Sequence, residues 1–237
     1  GAQGEIGSTL VGAYGVLTLN ADGQYSYATT ASAVDGLAAG ATAVDVFTYT
    51  ITDGALSASA ELLITVTGVN DAPVAVADTL DATEDTPETY TAAQLVGNDT
   101  DVENSDLSLS SVTSGSNGTA VLNADGTVTF TPNADYAGAA DFTYIVNDGT
   151  ADATSAATVT VNVGAVNDAP VAVANTNEVP ENGVIGFAAV SSVLGDAADV
   201  DGDALTVSSI RTGNVAATDG AQGEIGSTLV GAYGVLT

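Results

Sequence analysis

The run F-T-Y-I-V-N-D-G at residues 142–149 leads into an apolar strand and then into V-N-D-A-P-V-A-V-A at 166–174. Phe142, Tyr144 and Val146 sit at every second position, which puts them on one face of an extended strand. The same order of signals occurs upstream. F-T-Y-T-I-T-D-G at 47–54, with Phe47, Tyr49 and Ile51 on one face, precedes L-L-I-T-V-T-G and then V-N-D-A-P-V-A-V-A at 69–77. Each aromatic strand is itself preceded by a hairpin signal, L-N-A-D-G-Q-Y-S-Y at 19–27 and L-N-A-D-G-T-V-T-F at 122–130. Gly23 and Gly126 fall where a tight turn requires a left-handed residue. The segments T-V-T-F-T-P and A-L-T-V-S-S-I carry the same β-branched bias, whereas the alanine-rich 28–43 allows one short helical turn. Short strands with turn signals at regular spacing predict an all-β chain of tandem β-sandwiches.

The repeats set the domain organisation. G-A-Q-G-E-I-G-S-T-L-V-G-A-Y-G-V-L-T occupies 1–18 and recurs letter for letter at 220–237, an offset of 219 residues. Such identity predicts a parent protein with a 219-residue period. The N-D-A-P copies mark joints. Residues 71–170 read as one complete sandwich, 1–70 as the back half of a second domain type, and 171–237 as the front half of the next copy of that type. The chain lacks an initiator Met and a signal peptide, and reads as a window on a longer protein.

Composition narrows the chemistry. Thirty acids against one base give a net charge of −29, yet 45% of residues are hydrophobic, enough to build cores. Arg211 is the only cation, so nucleic acid and anionic lipid are excluded as partners. No apolar run approaches the roughly 20 residues of a membrane helix. Histidine and cysteine are absent, which removes imidazole bases, thiolate nucleophiles and Cys/His zinc sites. The sequence therefore predicts no enzyme. Paired carboxylates of the glycosidase kind lie here in turns and joints, not around an aromatic cleft.

The carboxylates cluster. Asp99, Asp101, Glu103 and Asp106 share one loop, and Asp196, Asp199, Asp201 and Asp203 share another. Asp71 and Asp168 sit in the joints, each followed by a proline two residues on. Glu84 and Glu181 each come 13 residues after a joint Asp, and Asp53 and Asp148 close the aromatic strands. Alternating Asp-x-Asp brings two carboxylates within a few ångströms, at a Coulomb cost on the order of 1 kcal/mol per close pair in water. A calcium ion, which takes 6–8 oxygen ligands, reverses that sign. The bland alternative is that Asp and Gly are ordinary turn residues, as Asp22 and Asp125 are read here. The recurrence of the whole set in both domain types favours calcium.

These motifs, above all F-T-Y-x-[IV]-x-D-G followed by V-N-D-A-P-V-A, resemble bacterial cadherin-like and VCBS-type tandem repeats of large secreted, RTX-type adhesins. The 71–170 domain is similar to the shorter cadherin-like type, and the split domain looks like the VCBS type. The resemblance implies Ig-like or cadherin-like sandwiches in an elongated array, with Ca2+ between successive domains. It implies ligand roles for Glu84 and Glu181, for Asn70 with Asp71, and for Asn167 with Asp168. It implies the same for Asp101 with Glu103, Asp199 with Asp201, and the strand-end Asp53 and Asp148; Asp99 and Asp203 are additions the match does not fix. The central D-R-E motif of the family has no counterpart, and 101–106 reads D-V-E-N-S-D.

The expected function is mechanical. It is a calcium-stiffened extracellular spacer at a cell surface, with neighbouring repeats of the same protein as partners. Two domains, each about 33 Å across as an equivalent sphere and longer than that in practice, give on the order of 70–90 Å per period. The alternatives are a self-assembling filament or sheath, in which copies complete each other, and a calcium-dependent carbohydrate-binding module.

Overall fold

The β-branched, alternating segments named above pair into ladders in the computed structural model, which describes residues 4–103, 106–185 and 192–212 and backbone at 222–223, 229–230 and 235–236. The chain divides into two units, Gly1–Ala165 and Val166–Thr237.

The first unit opens with an antiparallel meander of β1 (Thr9–Val11), β2 (Gly15–Leu19) and β3 (Tyr25–Thr29). The N-A-D-G turn joins β2 to β3. Gly23 adopts φ +85°, and its amide donates to the carbonyl of Asn20. A single helical turn, α1 (Ala31–Val34), precedes the long hairpin of β4 (Thr42–Thr52) and β5 (Ser57–Thr67), paired without interruption along eleven positions.

The remainder of this unit is a sandwich. Its elements are β6 (Asp78–Thr83), β7 (Glu88–Tyr90), α2 (Ala92–Val96), β8 (Ser108–Ser114), β9 (Gly118–Leu122), β10 (Val128–Pro132), β11 (Gly138–Asn147) and β12 (Ala157–Gly164). One sheet runs β7-β10-β9 and the other β6-β12-β11-β8, with β6 parallel to β12 and the other neighbours antiparallel. Alternation drives the packing. Every second residue of β11 and β12 points inward, so Phe142, Tyr144, Val146, Val159 and Val161 are buried. Phe130 of one sheet stacks on Phe142 of the other at 5.9 Å. Leu95 of α2 closes the core.

The meander and hairpin of 9–67 correspond in order to β8 through β12, with Gly23 matching Gly126 and Phe47 matching Phe142. Their burial differs. Phe142, Tyr144 and Val146 are 0, 1 and 0% exposed, whereas Phe47, Tyr49 and Ile51 are 6, 36 and 63% exposed. The shared face expected for the upstream strand is real, but only its first part is covered.

In the second unit, Val171 and Ala198 form an antiparallel bridge. β13 (Ile210–Arg211) pairs with β14 (Gln222–Gly223), and β15 (Leu229–Val230) with β16 (Val235–Leu236). The strand expected over A-L-T-V-S-S-I is a correction. Of these residues only Ile210 lies in a strand. Its counterpart β8 is held by β11, and a ladder needs such a partner.

Candidate functional site

Asn70 and Asp71 follow β5 directly. The Asn70 amide donates to the Asp71 carbonyl at 2.7 Å and to Asp148 Oδ2 at 2.8 Å. The Asp71 amide donates to Glu103 Oε1 at 2.9 Å, and the Glu103 amide donates to Asp101 Oδ1 at 3.0 Å. Asp148 Oδ1 accepts from the Thr150 and Ala151 amides at 2.6 and 2.7 Å. Five of the anticipated residues thus meet at one joint: Asn70, Asp71, Asp101, Glu103 and Asp148. They are brought there by the end of β11 and by the loop before β8, which lie together because Asn147 pairs with Ser108.

The Ala151 amide first, and then Asn70 and the Thr150 amide, hold the Asp148 carboxyl below its ordinary value. Glu103 Oε2 is shielded from solvent and has no donor among the described residues. A buried carboxylate oxygen without a donor costs desolvation energy that a hard cation offsets. Carboxylates are oxygen donors of the kind calcium takes. Asp35, which the sequence reading did not single out, joins Asp71 and Asp101 in lining an open cleft of about 390 Å³. It follows α1 in sequence, and no spacing relative to the joint motif marks it.

Asp99 is engaged otherwise. Its carboxylate accepts from the Val76 amide at 2.7 Å and the Tyr144 hydroxyl at 3.1 Å, an anchor for the core. Asp53 caps the β4–β5 turn, accepting from the Ala55 and Leu56 amides at 2.8 Å. Eleven paired positions at roughly 3.3 Å per residue put that turn about 35 Å from the hairpin end that leads into Asn70. Asp53 therefore does not share the 70–71 joint.

At the opposite end of the sandwich, Glu84 is buried and its amide donates to the Gly164 carbonyl at 3.0 Å. The neighbouring Asp85 adopts φ +59° and accepts from the Asp135 amide at 3.0 Å. Asp85 and Asp135 were absent from the expected ligand set.

Within the second unit, the 167–168 joint repeats the first. The Asn167 amide donates to the Asp168 carbonyl at 3.0 Å, and the Asp168 amide to Asp201 Oδ2 at 2.7 Å. Asp199 Oδ1 accepts from the amides of Asp201 and Asp203 at 3.1 and 3.2 Å. Glu181 is exposed beside a turn in which Asn182 adopts φ +63°. The two identical N-D-A-P joints, facing acidic loops of different sequence, thus fold to one hydrogen-bond pattern. The Asn side chain holds the Asp carbonyl, and the Asp amide is held by the third carboxylate of the acidic loop, Glu103 or Asp201.

Known families match along the chain. Residues 2–68 match the bacterial cadherin-like domain, 69–164 the cadherin-like domain, and 167–234 the bacterial Ig domain. No curated protein matches. Solved structures with local similarity include an endo-fucoidan hydrolase of glycoside hydrolase family 107, at 24% identity, 67% of this chain and a TM-score of 0.30. They also include domains 4 and 5 of the S-layer protein SbsC, at 17% identity, 62% of this chain, 64% of that chain and a TM-score of 0.29. The chain spans 23% of the hydrolase, and at these scores neither likeness carries an argument. Cadherin-like domains generally bind calcium, and this chain has acidic groups that could hold a metal. Domains of these kinds are typically non-enzymatic structural modules of extracellular or surface proteins. No helix among the described residues is long and apolar enough to cross a membrane. Cadherin-like matches running from residue 2 to 164, with an Ig-type match beyond them, support a bacterial cadherin-like tandem repeat.

Proposed function

We propose that this chain is one period, with an 18-residue overlap, of a calcium-stiffened spacer in a long extracellular adhesin or surface fibre. The single observation that carries the reading is the solvent-shielded Oε2 of Glu103, without a donor among the described residues, beside Asp71 and Asp101. At 70–71 the ion would be held by Asp71, Asp101, Glu103 and Asp148, with Asp35 the candidate from the preceding strands. At 167–168 the corresponding residues are Asn167, Asp168, Asp199 and Asp201, with Asp203 beside them. Calcium supplies positive charge and oxygen coordination; the chain's own contribution is to present carboxylates already aligned by backbone amides. In this reading 71–170 is a whole domain, and 1–70 and 171–237 are the two parts of the other domain type.

Calcium titration calorimetry tests the metal, and small-angle scattering tests the mechanics. Binding at about 10⁻⁴–10⁻³ M is expected. The scattering profile should shift toward a larger radius of gyration in calcium than in chelator. Superimposable profiles, or no heat of binding, overturn the reading.

A further inference from the structure

Asp is followed directly by Gly at six places among the described residues, beginning at Asp22, Asp35, Asp53, Asp125, Asp148 and Asp201. An Asp-Gly step carries a reaction of its own. The glycine amide nitrogen attacks the aspartate Cγ, an approach that no Cβ on the glycine obstructs. A five-membered succinimide closes, and the amide hydrogen leaves with the carboxyl hydroxyl as water. Water then reopens the ring. Cleavage at Cγ restores aspartate. Cleavage at the former main-chain carbonyl gives isoaspartate, whose main chain runs through Cβ. One water leaves and one returns, so mass is unchanged and no oxidant or reductant is needed.

The fold restrains five of the six steps at both reacting groups. The Gly23 and Gly126 amides donate to the Asn20 and Asn123 carbonyls at 3.0 Å, and the Gly202 amide donates to the Asp199 carbonyl at 3.2 Å. The Gly54 amide donates to Thr52 Oγ1 at 3.1 Å and the Gly149 amide to Asn147 Oδ1 at 2.6 Å. All five glycines adopt φ between +78° and +93°. Their aspartates are held too. Asp22 accepts from the Gln24 amide at 3.0 Å, Asp125 from the Thr127 amide at 3.1 Å and Asp201 from the Asp168 amide at 2.7 Å. Asp53 and Asp148 each accept two amides. Asp35-Gly36 lacks both restraints. Among the described residues neither the Asp35 carboxylate nor the Gly36 amide has a hydrogen-bond partner, and Gly36 is exposed and outside the left-handed region.

We infer that Asp35 is a site of isoaspartate formation in the folded protein, on the wall of the cleft it shares with Asp71 and Asp101. The product adds one atom to the main chain at this point. The stretch that follows is clamped. The Gly40 amide donates to the Gly68 carbonyl at 3.0 Å, the Gly68 amide donates to the Ala41 carbonyl at 2.8 Å, and a Cβ at Gly68 would collide with the Leu37 and Ala38 carbonyls. The extra atom is therefore taken up at Asp35 itself, and its free carboxylate is then attached directly to Cα. Isomerisation thus alters one carboxylate of the cleft. The chemistry needs no metal and is independent of the calcium reading.

The full chain is aged in chelator at physiological temperature, with parallel samples unfolded in guanidinium chloride. Chymotryptic peptides are read by electron-transfer fragmentation, which cleaves the Cα–Cβ bond that only an isoaspartate main chain contains. In the folded chain, isoaspartate should form at Asp35 at least about tenfold faster than at any of the five held steps, because hydrogen bonds on both reacting groups must break there first. In guanidinium chloride those bonds are gone, and the six steps should age alike. Gly36→Ala should slow the reaction at Asp35 at least about tenfold, since a Cβ obstructs the attacking nitrogen. Alanine fits there, its Cβ meeting nothing nearer than the Val102 carbonyl at 3.9 Å. No isoaspartate at Asp35, equal rates at the six steps of the folded chain, or a lead at one of the held steps overturns the inference. So does a lead of Asp35 that persists in guanidinium chloride, which would place the selectivity in the local sequence, or a folded Gly36→Ala chain that ages like wild type.

Discussion

Asp45 is the residue where the rules of burial bend most. It occupies an inward position of β4 and is 3% exposed. Burial opposes its ionisation, but the hydrogen bonds from Tyr27 and from the Tyr14, Ala13 and Gly15 amides outweigh it and hold the carboxyl below its ordinary value. A folded value lowered in this way contributes stability above the ordinary carboxylate range, and that stability is lost as pH falls through the folded value. Tyr27 is pushed up to about 12, by burial first and then by Asp45. Its contribution is complete below the ordinary phenol value near 10 and is lost as pH rises through about 12. Urea denaturation at a series of alkaline pH values should show this loss, and Tyr27→Phe should reduce it. Asp45→Ala leaves the amides of the β1–β2 turn unsatisfied and should cost about 3 kcal/mol, with Asp45→Asn costing less. Tyr144 has a comparable role in the sandwich. Its hydroxyl lies within 3.2 Å of the Val76 and Leu95 carbonyls and of Asp78 and Asp99. Tyr144→Phe should lower stability by about 1–3 kcal/mol without loss of the fold, read from the midpoint of urea unfolding.

At the scale of elements, two hairpins and two joints carry the design. Gly126 turns at φ +84°, and alanine there pays the left-handed penalty of about 1–2 kcal/mol. A thermal melt of Gly126→Ala should therefore shift downward, while substitution of the exposed Asp125 side chain, bonded to Thr127 within the turn, should shift it little. The joints hold acidic loops in register through backbone amides. Glu103→Gln keeps the acceptor for Asp71 but removes the charge. Calorimetry should show calcium affinity at this joint reduced about tenfold, with the melting temperature in chelator unchanged or raised.

Across the whole molecule the net charge of −29 dominates. Monovalent salt screens such repulsion over about 10 Å at 0.1 M, whereas calcium also coordinates. At matched ionic strength, 10 mM calcium should raise stability beyond sodium chloride by about 1.4–2.7 kcal/mol per occupied site, for sites of about 10⁻⁴–10⁻³ M. Equal melting curves in the two salts would assign the effect to screening alone. Magnesium makes a useful control, since it prefers a tighter octahedral shell and keeps its waters.

Alternation, the N-A-D-G turns and the F-T-Y motif determined by themselves that the chain is all-β and that Phe142, Tyr144 and Val146 share one face. These are local features, written in steps of two residues and in the left-handed turn that glycine permits. The joint residues Asn70, Asp71, Asp101 and Glu103 were equally legible, because their spacing recurs. Tertiary structure alone decided that Asp99 anchors Tyr144 beneath the core, that Asp53 sits a hairpin's length from the joint, and that Asp35 comes beside Asp71. It also decided that A-L-T-V-S-S-I stays largely unpaired and that Tyr49 and Ile51 lie open while Tyr144 and Val146 are sealed. The physical reason is that strand pairing, burial and carboxylate convergence depend on which distant segment arrives to complete them, and identical local motifs carry no record of that.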